Sequence, residues 1–127
     1  MKEISADTAM ALKLLKFKEK TYRYYLYKDN DLVSTGRGYK HNWNDFQNRV
    51  SICSQSFLKK WLLKNHNIHI DIYFDDMSWQ ANIGFVYFPD QSHELSLSYK
   101  ESTRETLFED FEDFLELVLI KSLTLIK

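Results

Sequence analysis

The strongest periodicity in the chain lies near its C-terminal end. Placed 100° apart, Leu107, Phe108, Phe111, Phe114, Leu115 and Val118 fill one broad face, and Glu105, Glu109, Glu112 and Glu116 fall together on the opposite side. That spacing predicts an amphipathic helix. Ser102-Thr103-Arg104-Glu105 ahead of it reads as a capping box, in which the serine oxygen and the glutamate each satisfy a backbone N–H. Beyond Leu117 the helix is apolar nearly all round, which predicts an end that is deeply buried or covered by a partner. Upstream, the period changes to two. Ile68, Ile70, Ile72 and Phe74 alternate with His69, Asp71 and Tyr73. Trp79, Ala81, Ile83, Phe85 and Tyr87 form the inward set of a second strand, and Leu95, Leu97 and Tyr99 that of a third. Turns at Asp75 to Ser78 and at Pro89-Asp90 make these an antiparallel meander with one covered face.

The first half carries shorter signals. A helix is expected from Ser5 to about Lys18, with Ser5 as N-cap, Asp7 at the positive helix end, and Ala6, Met10 and Leu14 on one face. Thr21 to Lys28 then alternates, Tyr22, Tyr24 and Leu26 against Arg23, Tyr25 and Tyr27, and predicts a strand. Asp29-Asn30 offers a hairpin turn, with a return through Leu32 to Thr35. Gly36-Arg37-Gly38 breaks the pattern, and the segment to Ile52 reads as loop with a short helical turn near Asn44 to Asn48. A second helix runs from Ser54 to about Asn65, its stripe Phe57, Leu58, Trp61 and Leu62, with Lys59, Lys60 and Lys64 off it. Asn65 or Asn67 is suited to the left-handed residue that ends it.

These elements predict one α+β domain over residues 1–127. An N-terminal helix and β-hairpin precede helix, three antiparallel strands and helix, with the helices packed on one face of the sheet. Three glycines and one proline argue against long disorder or a turn-rich β-sandwich. The single cysteine, Cys53, allows no internal disulfide and fits a reducing compartment. Residues 1–20 alternate apolar with charged positions and lack a signal core, and apolar runs such as Leu117 to Ile120 stop at four residues. A cytoplasmic protein without a membrane segment is expected. Charge, nearly balanced overall, is unevenly placed. Residues 1–64 hold 13 basic and 6 acidic side chains, residues 65–127 hold 4 and 12. The halves therefore attract each other within the domain or at a dimer contact, or present opposite faces to different partners.

The segment from Cys53 through Ser-Gln-Ser-Phe-Leu-Lys-Lys-Trp-Leu-Leu-Lys-Asn-His-Asn-Ile-His-Ile-Asp-Ile to Tyr73 resembles the hallmark of a family of small proteins encoded by phages and mobile elements of gut bacteria. The family pattern is a Thr/Ser-Gln-Ser-Leu-Leu-x-x-Trp-Leu-Arg helix running into His-Asn-Ile-x-Ile. The chain departs from it at Cys53, where proline is common, and at Leu63-Lys64, where arginine and an acid are usual. The resemblance implies no activity. The order helix, three strands, helix is also similar to the double-stranded RNA-binding domain, which meets phosphates with a basic cluster at the start of its last helix. Here that stretch offers Arg104 followed by Glu105, Glu109, Asp110, Glu112, Asp113 and Glu116, which repel a phosphate backbone.

Candidate chemistry is sparse. His66-x-x-His69-x-Asp71 has metal-capable residues, but zinc needs three or four ligands with outer support, and His41 and His93 are not spaced to complete the set. A histidine at a helix C-terminus explains His66 with fewer assumptions. Cys53 sits ahead of a helix, where the dipole lowers a thiol pKa, yet a lone cysteine at a core edge is more often packing. Gly36-Arg37-Gly38 lacks phosphate-loop spacing. No catalytic or cofactor-binding residue is therefore assigned. The expected function is non-enzymatic binding of a macromolecule by a phage or mobile-element accessory protein. The acidic face Glu105, Glu109, Glu112 and Glu116 reads as a solvated helix side or as the surface for a protein partner, and the apolar Leu117 to Ile126 end would serve self-association. The alternative is nucleic-acid binding through the basic half, by Arg23, Tyr25, Tyr27, Lys59, Lys60 and Lys64, with tyrosines stacking on bases. An enzyme of unrecognised type stands third.

Overall fold

Alternating and helical periods in the sequence become three α-helices and seven antiparallel strands among the described residues, an α+β chain. The structure is a computed structural model and describes residues 2–28, 31–34 and 39–126, with the side chains of all but 31 and 32. The expected Asp29-Asn30 turn and the Gly36-Arg37-Gly38 loop lie outside the described residues. The chain gathers into two compact units, Met1–Gln55 and Ser56–Lys127.

In the first unit, α1 (Ala6–Leu14) is capped as expected, Ser5 Oγ accepting from the Thr8 N–H at 3.3 Å. Its end is set by Lys16 in the left-handed region (φ 66°), with the Phe17 N–H returning to Leu12 O and the Lys16 N–H to Lys13 O. The helix therefore stops short of Lys18. Its buried residues are Thr8, Ala9 and Leu12, whereas Leu14, expected inside, is 76% exposed. With only nine residues, the face that packs on β3 is decided by that contact rather than by a strong apolar stripe. Strand β1 (Arg23–Lys28) pairs with β2 (Asp31–Ser34) as predicted, and on its other side with β3 (Arg49–Ile52), in the order β2-β1-β3. Strand β3 corrects the loop expected up to Ile52. Its Val50 and Ile52 are buried where the strand packs against α1 and the turn that carries Trp43, and this packing together with pairing to β1 holds so short a segment extended. The helical turn before it is a 3₁₀ turn, Trp43–Asp45. Asn44 ties it down, its amide donating to Phe17 O and its oxygen accepting from the Ser51 N–H, both at 2.9 Å.

The second unit follows the predicted order. Helix α2 (Gln55–His66) buries Leu58 and Leu62 completely and ends at Asn67, which takes the left-handed conformation (φ 57°). Strands β4 (Ile68–Asp75), β5 (Ser78–Tyr87) and β7 (Leu95–Glu101) form the meander with β5 in the middle. A two-residue strand, β6 (Asp90–Gln91), pairs antiparallel with Val86 and Tyr87 at the end of β5, across the expected turn. Ile68, Ile70, Ala81 and Ile83 are buried as the alternation requires, but the pattern fades at Phe74 and Tyr87, both exposed. Helix α3 (Leu107–Leu123) lies against β5 and buries Phe114, Leu115, Val118, Leu119 and Leu123, so the apolar end beyond Leu117 is largely buried. It starts later than the proposed capping box allows. Thr106 is the N-cap, and Thr103 and Thr106 exchange bonds instead, each backbone N–H donating to the other's hydroxyl. Glu105 thus precedes the helix. No helix among the described residues is long and apolar enough to cross a membrane.

Candidate partner-binding surface

The β4–β5 hairpin closes through Asp76 and Met77, both at positive φ (51° and 64°). Two consecutive left-handed residues give the turn that matches strand twist, a place normally taken by Asn or Gly. Methionine there costs about 1–2 kcal/mol relative to glycine, and its side chain is not buried in return: Met77 is 60% exposed. Next to it, Phe74 meets Trp79 edge-on at 5.2 Å, and Trp79 meets Phe111 of α3 at 4.9 Å. The Trp79 indole N–H donates to Leu107 O at 3.0 Å, and the Ser102 N–H to Met77 O at 2.9 Å. The hairpin tip and the first turn of α3 are thereby joined into one surface.

Phe108 completes it. Its place in the helical period is that of Leu115 seven residues on and Leu119 eleven residues on, both buried. Yet Phe108 is 82% exposed. The sequence expectation that Phe108 faces the core is corrected here. The residue lies on the core-facing line but in the first turn of the helix, where it stays in water. Phe74, packed on the half-buried Trp79, is exposed, as are Met77 in the adjoining turn and Phe108, the neighbour of the Leu107 whose carbonyl holds the indole. Exposed Asp75, Asp76, Glu101, Glu105 and Glu109 lie along the hairpin and the helix start, outnumbering the exposed Lys100 and Arg104 of the same stretch.

Beneath the helix start, Asp110 is buried. The hydroxyls of Thr106 and Ser102 hold its carboxyl below the usual carboxylate range, against the opposing effect of burial, with Lys100 at 4.0 Å adding attraction. The Ser102 contact is electrostatic rather than a well-formed hydrogen bond, since neither Ser102 Oγ nor Asp110 Oδ2 meets hydrogen-bond geometry. This cluster fixes the helix entry and faces inward.

The residues expected to bind are dispersed. Glu105 and Glu109 are exposed beside Phe108, whereas Glu112 and Glu116 are half-buried and already engaged. Arg23 pairs with Glu3 and donates to Ser34 Oγ, and the Tyr25 hydroxyl donates to Ile4 O, so both are engaged within the first unit. Tyr27 is about half exposed. Lys59, Lys60 and Lys64 are exposed along α2. His66 packs edge-on against Trp61, His69 sits opposite Gly84, and Asp71 opposite Asn82. Cys53 is buried, its carbonyl accepting from the Ile4 N–H. Among the described residues no three His, Cys, Asp or Glu side chains gather as metal ligands. Met77 escaped sequence reasoning because turn statistics do not flag a methionine. The Asp-Met dipeptide between two alternating runs was the signal on offer.

Comparison of the chain with protein-family models, curated proteins and solved structures finds no match.

Proposed function

We propose that this chain is a non-enzymatic binding protein whose Met77–Phe74–Trp79–Phe108 surface receives a basic protein segment carrying an apolar anchor. The observation that carries the reading is Phe108, a core-type residue held in water on the line of a buried helix face. The acidic rim selects the partner's charge, because carboxylates around an apolar patch favour lysine and arginine around the inserted side chain. An exposed methionine at a costly turn position adds a deformable contact of the kind that binding surfaces reuse. The motif from Cys53 to Tyr73 supports a phage or mobile-element accessory protein, and the single cysteine supports a cytoplasmic setting. The order α2-β4-β5-β7-α3, with the two-residue β6 between β5 and β7, supports a relation to the double-stranded RNA-binding topology. The acidic entry of α3 supports a protein, rather than RNA, as the ligand at that end.

The test is a selection of randomised peptides on the full chain, with counter-selection on the Phe108→Ser, Met77→Ser double variant. Enrichment of aromatic or aliphatic anchors flanked by lysine and arginine is expected. Their affinity should fall with salt, and should drop by about 2 kcal/mol or more in the double variant. Peptides without a basic bias, or binding indifferent to both substitutions, overturn the reading. So does light scattering that finds a dimer dissolved by Phe108→Ser, since a second copy would then cover the patch.

A further inference from the structure

A second cluster, in the first unit, carries charge of the other sign. The Arg49 guanidinium is held among three rings, 4.6 Å from the centre of Phe46, 4.9 Å from Tyr24 and 5.4 Å from Trp43. Its Nε is buried without a hydrogen-bond partner, and among the described residues no carboxylate pairs with it. Aromatic faces stabilise a desolvated cation but do not neutralise it. The rings continue outward. His41 contacts Phe46 at 5.4 Å and Tyr39 at 5.9 Å, and Tyr39 contacts Trp43 at 5.2 Å. Tyr39 and Phe46 are exposed, and Lys40 is exposed between Tyr39 and His41. Asp45, beside Phe46, is the one exposed acid adjoining these positions in sequence, and it accepts a hydrogen bond from the Asn42 amide at 3.2 Å.

The base of this cluster is rigid. The Lys13 ammonium donates to the carbonyls of Phe46 and Arg49, both at 2.7 Å, and to Gln47 at 3.3 Å. The Trp43 indole donates to Thr21 O at 2.8 Å. The segment carrying Trp43, Phe46 and Arg49 is therefore held in place, which lowers the ordering cost for a ligand that stacks on Phe46.

We infer that Tyr39, His41, Phe46 and Arg49 form a binding site for single-stranded nucleic acid, with Tyr39 and Phe46 stacking on bases and Arg49 and Lys40 meeting phosphates. Uncompensated cations interleaved with exposed flat rings are what such a ligand requires. A duplex keeps its bases stacked inward and offers those rings nothing. This site is independent of the acidic-rimmed surface of residues 56–127, and either can fail without the other.

The test is fluorescence anisotropy of labelled oligothymidylate and oligouridylate, about 15 nucleotides long, with the full chain. Saturable binding is expected, weakening with salt by a log–log slope of about 0.7 for each phosphate contact. Tyr39→Ala and Phe46→Ala, at exposed rings, should each weaken binding about tenfold while leaving the circular dichroism spectrum unchanged. Arg49→Lys should lower affinity despite keeping the charge, because an ammonium lacks the planar stacking face. Absence of binding, or equal binding by a duplex of the same length, overturns the inference. So does affinity unchanged in both ring variants, or competition by polyglutamate as effective as by oligonucleotide.

Discussion

The indole N–H of Trp79 points at the carbonyl oxygen of Leu107, 3.0 Å away, and so ties the middle strand of the sheet to the first turn of the last helix. The same ring packs on Phe74 and Phe111. Trp79→Phe keeps an aromatic body but removes the donor. A neutral hydrogen bond contributes about 1 kcal/mol net, so the unfolding free energy from urea titration should fall by about that amount, as a lower midpoint with an unchanged slope. A larger loss with a changed slope would show that the helix start had detached.

Met77→Gly separates stability from binding. Glycine occupies the left-handed region without the Cβ penalty, though it loses more entropy on folding. The balance should make the variant about 0.5–1 kcal/mol more stable. If the methionine is kept for contact, the stabilised variant should bind selected basic peptides more weakly. Higher stability with undiminished binding would remove Met77 from the surface.

Much of the fold was legible because period and length were sufficient. Helix α3 offers 17 residues of one pattern, and the strands of the meander 7 to 10 each. Strand β3 was not legible. Arg49-Val50-Ser51-Ile52 is four residues behind a polar run, and only pairing with β1 makes it a strand. The proposed interaction surfaces failed to appear for a different reason. Periodicity identifies side chains that favour burial, and it placed Phe108 correctly on its helical line. It carries no information on whether the chain supplies anything to cover that position. Likewise, Arg23, Tyr25 and Tyr27 read as a basic aromatic row, while the partners that engage the first two, Glu3, Ser34 and the carbonyl of Ile4, come from elsewhere in the unit.

Gly84 is fixed by contact rather than by its backbone angles. A Cβ built there would stand 1.8 Å from Ser92 O and 2.7 Å from its carbonyl carbon. The backbone of Ser92 is held in turn by Ser92 N–H to Phe85 O at 2.8 Å and by the Phe85 N–H to Ser92 Oγ at 3.0 Å. Neither side can yield cheaply. Gly84→Ala should therefore cost about 3 kcal/mol, at the upper end for overpacking, and hydrogen exchange at Phe85 should accelerate more than at Ile70. An alanine variant with the parental melting temperature would disprove the close approach.

Asp110 gives the fold a signature in acid. Thr106 and Ser102 depress its pKa, with Lys100 nearby, so the folded state holds the carboxylate more tightly as an anion than the unfolded chain does. The sign follows from linkage: the contribution is complete above the unfolded value near 3.8 and disappears as pH falls through the lower folded value. Asp110→Asn should be less stable than the parent near neutrality, and the gap should close on acidification. Urea midpoints of both proteins, measured from about pH 6 down to about pH 2.5, would reveal this as a difference between two slopes, which cancels the acids common to both. A gap that stays constant across that range would mean Asp110 acts by shape and hydrogen bonding alone. A gap that widens in acid would contradict the depressed pKa, and with it the role of the two hydroxyls in seating the helix start beneath Phe108.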